Sequence, residues 1–184
     1  MLDACAELVD EVGCDGLTTT MLAERARVAI GSVYQFFPDK QAVIRALALR
    51  NLDVYLGRLG GRLGQIPGGG WWEIVEASID EYVAMHREVA GFRTLRVGRF
   101  GDPGADDESP SSGVVAERLV AVLADRFQYQ PDPKLLFAMT IATEMADGLV
   151  TMAFRRDPAG DPTVLAECKA MAKEYLATRL PSGE

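Results

Sequence analysis

"TTTMLAERARVAIGSVYQFFPDK", Thr18 to Lys40, is the stretch whose reading decides the fold. Thr18 precedes Leu22, Ala23 and Ala26, which lie on one side of a helix, so a helix capped by the Thr18 hydroxyl is predicted. After a short break a second helix starts near Ile30 or Gly31. It must stop before Pro38, because the residue ahead of a proline disfavours helical geometry. Two short helices joined by a tight turn and packed on a preceding helix make a helix-turn-helix, whose second helix enters the DNA major groove.

Helical angles over residues 30–37 gather Ile30, Val33, Phe36 and Phe37 on one side, expected to face the unit's own core. Gly31, Ser32, Tyr34 and Gln35 then face outward. That set suits a groove: a missing side chain for close approach, a tolerant hydroxyl, an aromatic with a polar tip and an amide that bonds an adenine edge in two places. Lys40 follows the cap residue Asp39, in a first turn where the helix dipole disfavours a cation. Its position makes sense if it and the free N–H groups bind an anion such as a DNA phosphate. Thr18, Thr19 and Thr20 open the preceding helix and are candidates for a neighbouring phosphate. The plainer alternative is that Thr18 only caps and Lys40 is only solvated.

The formal net charge of −8 argues at first against a nucleic-acid partner, but distribution matters more than the sum. Residues 1–24 hold six acids and no base, whereas residues 25–50 hold five bases (Arg25, Arg27, Lys40, Arg45, Arg50) against Asp39 alone. The remaining 14 bases and 20 acids fall in residues 51–184, so the basic surplus coincides with the quoted stretch. The hydrophobic fraction of 48% supplies a core and excludes disorder. No apolar run approaches membrane-spanning length and no signal peptide is evident, so a cytoplasmic protein is expected. Cys5, Cys14 and Cys168 share no metal-ligand spacing and read as reduced thiols acting as small hydrophobes.

Elsewhere helical periodicity dominates. Leu2, Cys5, Leu8, Val9 and Val12 make an amphipathic helix over 2–12, ended by "GCDG". Asp39 caps a long helix whose far end, "GRLGGRLG", either frays or packs another backbone closely. "PGGG" breaks the chain before "WWEIVEASIDEYVAMHRE"; a short helix is expected around Phe92–Phe100, and "GDPGADDESPSSG" reads as a polar acidic loop. Helices over 114–127 and about 134–155 follow, the second apolar nearly all round, and "DPAGDP" precedes a last helix with Leu165, Cys168, Ala172, Tyr175 and Leu176 along its stripe. No strand alternation occurs, so the fold is all-α with about nine helices. Residues 1–46 form the helix-turn-helix unit and 47–184 a larger helical domain.

Residues 13–47 resemble the DNA-binding domain of the TetR family of bacterial transcriptional regulators. The resemblance is carried by Gly13, Thr18, Leu22, Ala23, Ala26, Val28, Gly31, Ser32, Val33, Tyr34, Phe37 and Lys40. It implies a homodimer, joined through the last two helices, that binds a palindromic double-stranded DNA operator and releases it when a small-molecule effector occupies the larger domain. Carried over by position, Thr18, Tyr34 and Lys40 would grip phosphates, and Ile30, Gly31, Ser32 and Gln35 would face bases. For Ile30 this opposes the angular reading, and both stand at this point. Three positions depart from the family pattern: Arg27 where glycine is usual, Ala29 where a serine normally caps the reading helix, and Ile30 where a polar residue is common. The chain also starts at Met1-Leu2, where the family usually has a short basic arm.

For the larger domain, Trp72, Tyr82, Met85, His86, Phe92, Arg96 and Phe100, with Phe137, Thr140 and Glu144, are the candidate effector contacts. An aromatic, methionine-bearing cavity with few polar groups suits an apolar or amphipathic molecule. The same residues at helical spacing also serve as ordinary core. An enzyme is not expected: there is no phosphate-cradling loop, HExxH or CxxC, and His86 is the only histidine. No cofactor is called for. The alternative reading is a helical dimerising interaction module that has lost specific DNA binding, which the three departures keep open.

Overall fold

The computed structural model describes residues 1–66, 68, 70–95, 110–128 and 132–180. Among them are eight helices and no strand. α1 spans Leu2–Gly16 and buries Ala4, Cys5, Leu8 and Val9. Its regular part ends at Gly13, whose φ of 72° and ψ of 169° break the helix where the glycine was expected to stop it, and one further turn reaches Gly16. α2 (Thr19–Ala26) starts as read: the Thr18 hydroxyl accepts the Met21 N–H at 3.2 Å.

Arg27 ends α2 in the left-handed region, with φ 55° and ψ 44°. The Val28 N–H reaches the Ala23 carbonyl at 3.0 Å and the Arg27 N–H reaches that of Glu24 at 3.1 Å, the paired closure of a Schellman turn. That geometry is normally glycine's, and a side chain there costs roughly 1–2 kcal/mol. α3 (Ile30–Phe36) follows with Ala29 at its N-cap and no side-chain cap bond. α4 (Lys40–Gly64) is capped by Asp39, whose Oδ1 accepts the Ala42 N–H at 2.7 Å.

Two apolar cores sit along α4. The first joins Cys5, Leu8 and Val9 of α1 to Leu22 of α2, Val33 of α3, and Val43 and Leu47 of α4. The second begins at Leu52, Tyr55 and Leu59 and extends through α5 (Trp71–Glu88), α6 (Pro110–Phe127), α7 (Pro133–Arg156) and α8 (Pro162–Ala177). Asp132 and Asp161 cap α7 and α8, each followed by a proline in the first turn, where the missing N–H costs nothing. Cys5 and Cys168 are fully buried free thiols, both pushed up to about 11 by that burial.

Several expectations are revised. The glycine-rich end of α4 stays helical to Gly64, and a Cβ placed at Gly57, Gly60, Gly61 or Gly64 would meet nothing within 4 Å, so no backbone of the described residues packs there. The ninth helix, expected around 92–100, is not seen in its described part: 91–95 form turns, and 96–100 lie outside the described residues. α6 begins at Pro110, inside the segment read as loop, of which 101–109 are outside the described residues. α7 is, by length and composition, apolar enough to cross a membrane, contrary to the run-length reading, with a mean hydropathy of 1.4 over its most apolar 18 residues. Only 33% of that window is buried, so the cover expected on more than one side is incomplete within one chain.

Two substitutions test the local energetics. Arg27→Gly should raise stability by about 1 kcal/mol by removing the left-handed side chain, and Ala29→Ser should add about 0.5–2 kcal/mol by capping α3. Urea unfolding of the two variants checks both. A loss of stability in Arg27→Gly would show that the guanidinium contributes more than the backbone conformation costs.

Candidate nucleic-acid interface and internal cavity

α3 packs on the first core through Val33, which is fully buried, and through half-buried Phe37 just beyond its end. Ile30 and Phe36, placed inward by the flat angular reading, instead stand 42% and 67% exposed. A seven-residue helix laid across a small three-helix unit buries only a narrow line, and the two flanks of that line remain in solvent. The outward course of Ile30 agrees with its placement by family position. Gly31, Tyr34 and Gln35 are exposed as expected, and Ser32 is half-buried.

The reading helix is fastened to α2 by a 3.0 Å hydrogen bond between the Thr19 and Tyr34 hydroxyls. Lys40, at the first position of α4, donates from Nζ to the Asp15 carbonyl at 3.1 Å, so its ammonium is held through a backbone oxygen. No carboxylate neutralises it among the described residues. A Cβ at Gly31 would meet nothing within 4 Å, so this glycine is not required by internal packing.

The basic surplus is smaller than the sequence count suggests. Arg25 makes a forked pair with Glu11, at 2.9 and 2.7 Å, and a third bond to Glu7 at 3.1 Å. The guanidinium holds the Glu11 carboxyl below its usual range and is itself raised by the same hydrogen bonds. Arg50 pairs with Asp3 at 2.6 Å. Two of the five bases therefore join helices of this unit, leaving Arg27, Lys40 and Arg45 for an external anion.

The body contains a cavity of about 50 Å³. α4 contributes Leu52 and Tyr55, α5 contributes Ser78, Ile79 and Tyr82, α6 contributes Leu119, and α7 contributes Met139, Thr143, Glu144 and Asp147. Most of its polar groups are already engaged. The Tyr55 hydroxyl lies 2.6 Å from Ser78 Oγ, Tyr82 donates to Asp147 Oδ1 at 2.5 Å, and Thr143 donates to the Met139 carbonyl at 2.8 Å.

Of the expected effector contacts, Tyr82 and Glu144 line this cavity. Met85, His86 and Phe92 are buried, His86 and Phe92 packing on the Tyr82 ring at 4.6 and 5.4 Å. Trp72 lies against Trp71 with Lys173 over its ring, Thr140 donates to the Leu136 carbonyl, and Phe137 is 67% exposed. Arg96 and Phe100 lie outside the described residues. Tyr55 and Ser78 are additions that the sequence does not single out. Their only signal is a hydroxyl within an apolar helical stripe, which ordinary core positions also carry.

Known proteins share both the reading unit and the body. The family profile for "Bacterial regulatory proteins, tetR family" matches residues 1–47, and that for "Tetracyclin repressor-like, C-terminal domain" matches residues 69–180. The chain belongs to the TetR family. A crystal structure of a TetR-family transcriptional regulator from Streptomyces coelicolor superposes with a TM-score of 0.84 at 41% identity, covering 97% of this chain and 96% of that one. The HTH-type transcriptional repressor KstR of Rhodococcus jostii (strain RHA1) is 27% identical over 163 residues, 88% of this chain and 74% of that protein. The class A tetracycline repressor protein from transposon 1721 of Escherichia coli is 46% identical over 48 residues, 26% of this chain and 22% of that protein. The chain is thus a ligand-responsive transcriptional regulator of the TetR family, with a helix-turn-helix that binds DNA.

In this TetR-family regulator the cavity is connected to the DNA-reading unit by the turn after α5. Asp10 of α1 accepts the Gly91 N–H at 2.7 Å on one oxygen and the Thr94 hydroxyl at 3.0 Å on the other. Gly91 has φ +75°, and a Cβ there would fall 2.9 Å from the Ala6 Cα, so both conformation and space require glycine. Phe92 in the same turn packs on Tyr82 of the cavity wall, and Leu95 joins the first core.

His86 completes the junction, stacked on Phe154 at 4.9 Å with its Nδ1–H directed to the Tyr82 carbonyl at 2.9 Å. Burial lowers its pKa from the ordinary 6.5, against a smaller opposing contribution from the Tyr82 bond. The folded state therefore favours neutral His86. Its contribution to stability is intact above pH 6.5 and is lost as pH falls below that value through the folded pKa. Unfolding free energy measured from pH 7.5 to 5 should decline more steeply for the natural protein than for His86→Phe. Parallel profiles would remove His86 as the cause.

Proposed function

We propose that this chain is a cytoplasmic homodimeric repressor, not an enzyme, that holds a palindromic operator and releases it when a small, largely apolar effector fills the cavity. It needs no cofactor. Residues 1–46 read DNA and residues 47–184 sense and dimerise, the boundary falling within α4. Thr18, Tyr34 and Lys40 hold phosphates; Ile30, Gly31, Ser32 and Gln35 face base edges. The observation that carries the reading is α3 itself, whose one fully buried side chain is Val33 and whose opposite face lies in solvent. Gly31 supports it, since a helical glycine costs about 0.5–1 kcal/mol relative to alanine and no neighbour within the chain explains it.

The dimer seam is supported by an exposed row on α7. Phe137, Ile141, Glu144 and Gly148 recur at alternating spacings of four and three, the pattern of a coiled-coil-like contact. On α8, exposed Ala166, Ala170 and Ala177 allow close approach, with Met171 46% exposed beside them. Effector binding shifts a population between two separations of the reading helices, of which one matches successive major grooves roughly 34–36 Å apart. α4 and the Asp10-held turn carry the shift from the cavity to α3.

Selection from random duplex DNA should enrich a palindrome bound with a steep salt dependence. Lys40→Ala should weaken that binding and reduce the salt slope by about 0.9 for each phosphate that the dimer no longer neutralises. Gly31→Ala should raise thermal stability yet weaken DNA binding, a pairing that a merely structural glycine does not give. Phe137→Asp with Ile141→Asp should yield a monomer in sedimentation velocity and lose the palindrome. Uncapped Ala29 and paired Arg25 favour a second reading, a dimerising module without specific DNA binding. A protein that dimerises but enriches no sequence would establish that reading instead.

A further inference from the structure

No charged side chain occurs from Val28 to Pro38, so the reading helix is electrically neutral along its length. Guanine presents two acceptors in the major groove, most often read by a forked Arg or a Lys, and its partner cytosine presents an amine that suits a carboxylate. α3 offers neither. Arg25, the nearest base on α2, is held by Glu7 and Glu11. A·T pairs, by contrast, offer an adenine edge that matches a glutamine amide and a thymine methyl that matches an apolar side chain.

The exposed set on α3 fits that second description. Gly31 and Gln35 lie opposite buried Val33, with Ile30 and Tyr34 on one shoulder and Ser32 and Phe36 on the other. Ile30 stands at the helix start, where a reading helix meets base edges, and its 42% exposure leaves apolar surface with no cover among the described residues. Thymine carries the apolar group among the four standard base edges of the major groove.

We infer that Ile30 is a specificity-determining residue that packs on a thymine methyl, and that α3 reads A·T pairs in each half-site with Gln35 on an adenine. The inference rests on the DNA-binding reading above and adds which bases are recognised. Each methyl buried against Ile30 is worth about a fourfold gain in affinity, hence roughly sixteenfold for a symmetric dimer.

The test uses the full chain and the duplex obtained by random selection. Each thymine of the enriched half-site is replaced in turn by uracil, which removes the methyl and keeps the base pair, and affinity is read by fluorescence anisotropy. One thymine position should lose about fourfold per half-site on this change. Ile30→Ala should bind the natural and uracil duplexes equally, and Ile30→Arg should shift selection towards guanine at that pair. Because Ile30 is exposed, folding of both variants is checked by their unfolding curves. Uracil neutrality at every position, or G·C pairs enriched under α3, would overturn the inference and leave DNA binding intact. Uracil sensitivity unchanged in Ile30→Ala would overturn the assignment to Ile30. Failure to enrich any sequence would overturn the DNA-binding reading and this inference with it.

Discussion

The turn after α5 is fastened to α1 by the Asp10 carboxylate, by close packing of Gly91 on Ala6 and by Leu95 in the first core, and this contact ties the two halves of the molecule together away from α4. Asp10 receives both the Gly91 N–H and the Thr94 hydroxyl, while Gly91 brings backbone against Ala6 so closely that no side chain fits. α4 already joins the halves covalently, but one helix is a rod that permits rotation about its axis. A second contact away from that axis turns the rod into a bracket. The DNA-reading unit therefore takes its orientation from two elements that also border the cavity: α4 through Leu52 and Tyr55, and the turn through Phe92 on Tyr82.

That arrangement gives the proposed effector response a physical route. A ligand moves an equilibrium only as far as its affinities for the two states differ. A molecule among Tyr55, Ser78, Tyr82 and Asp147 meets side chains already hydrogen-bonded across α4, α5 and α7, so entering it must respect or replace those bonds. Replacing the Tyr82–Asp147 bond would release the ring on which Phe92 and His86 pack. The discrimination between states then comes from specific contacts that differ, rather than from cavity filling alone.

Much of the fold is legible because its stops and starts are local chemistry. Thr18, Asp39 and Pro38 act within a few residues of themselves, and their caps and breaks fall where the sequence places them. What is not legible depends on partners distant in sequence. Counting charges overestimates the surplus of residues 25–50 because Arg25 and Arg50 find carboxylates 14 and 47 residues away. The inward course of Ile30 and Phe36 fails because a helical wheel gives direction but not the width of the surface it meets. The cavity is half-legible for the same reason: Tyr82 and Glu144 lie on helices whose stripes are visible, whereas Tyr55 and Ser78 become neighbours only when α4 crosses α5.

The pairing of those arginines also eases the conflict between an acidic chain and a DNA partner. α1 carries Asp3, Glu7 and Glu11, which would repel a phosphate backbone if left unpaired, yet each is engaged with an arginine of α2 or α4. Neutralising them within the unit removes local repulsion without adding positive charge to the reading helix. Under the proposed reading, non-specific attraction would be left to a few residues, Arg27, Lys40 and Arg45, and more of the affinity would come from base edges that fit α3. A reader with little general attraction to DNA gains less from wrong sequences, so discrimination rises as the electrostatic share falls. Under the proposed reading, the same pairing that keeps α1 acidic yet locally neutral would give Ile30, Gly31 and Gln35 the larger part in selecting DNA.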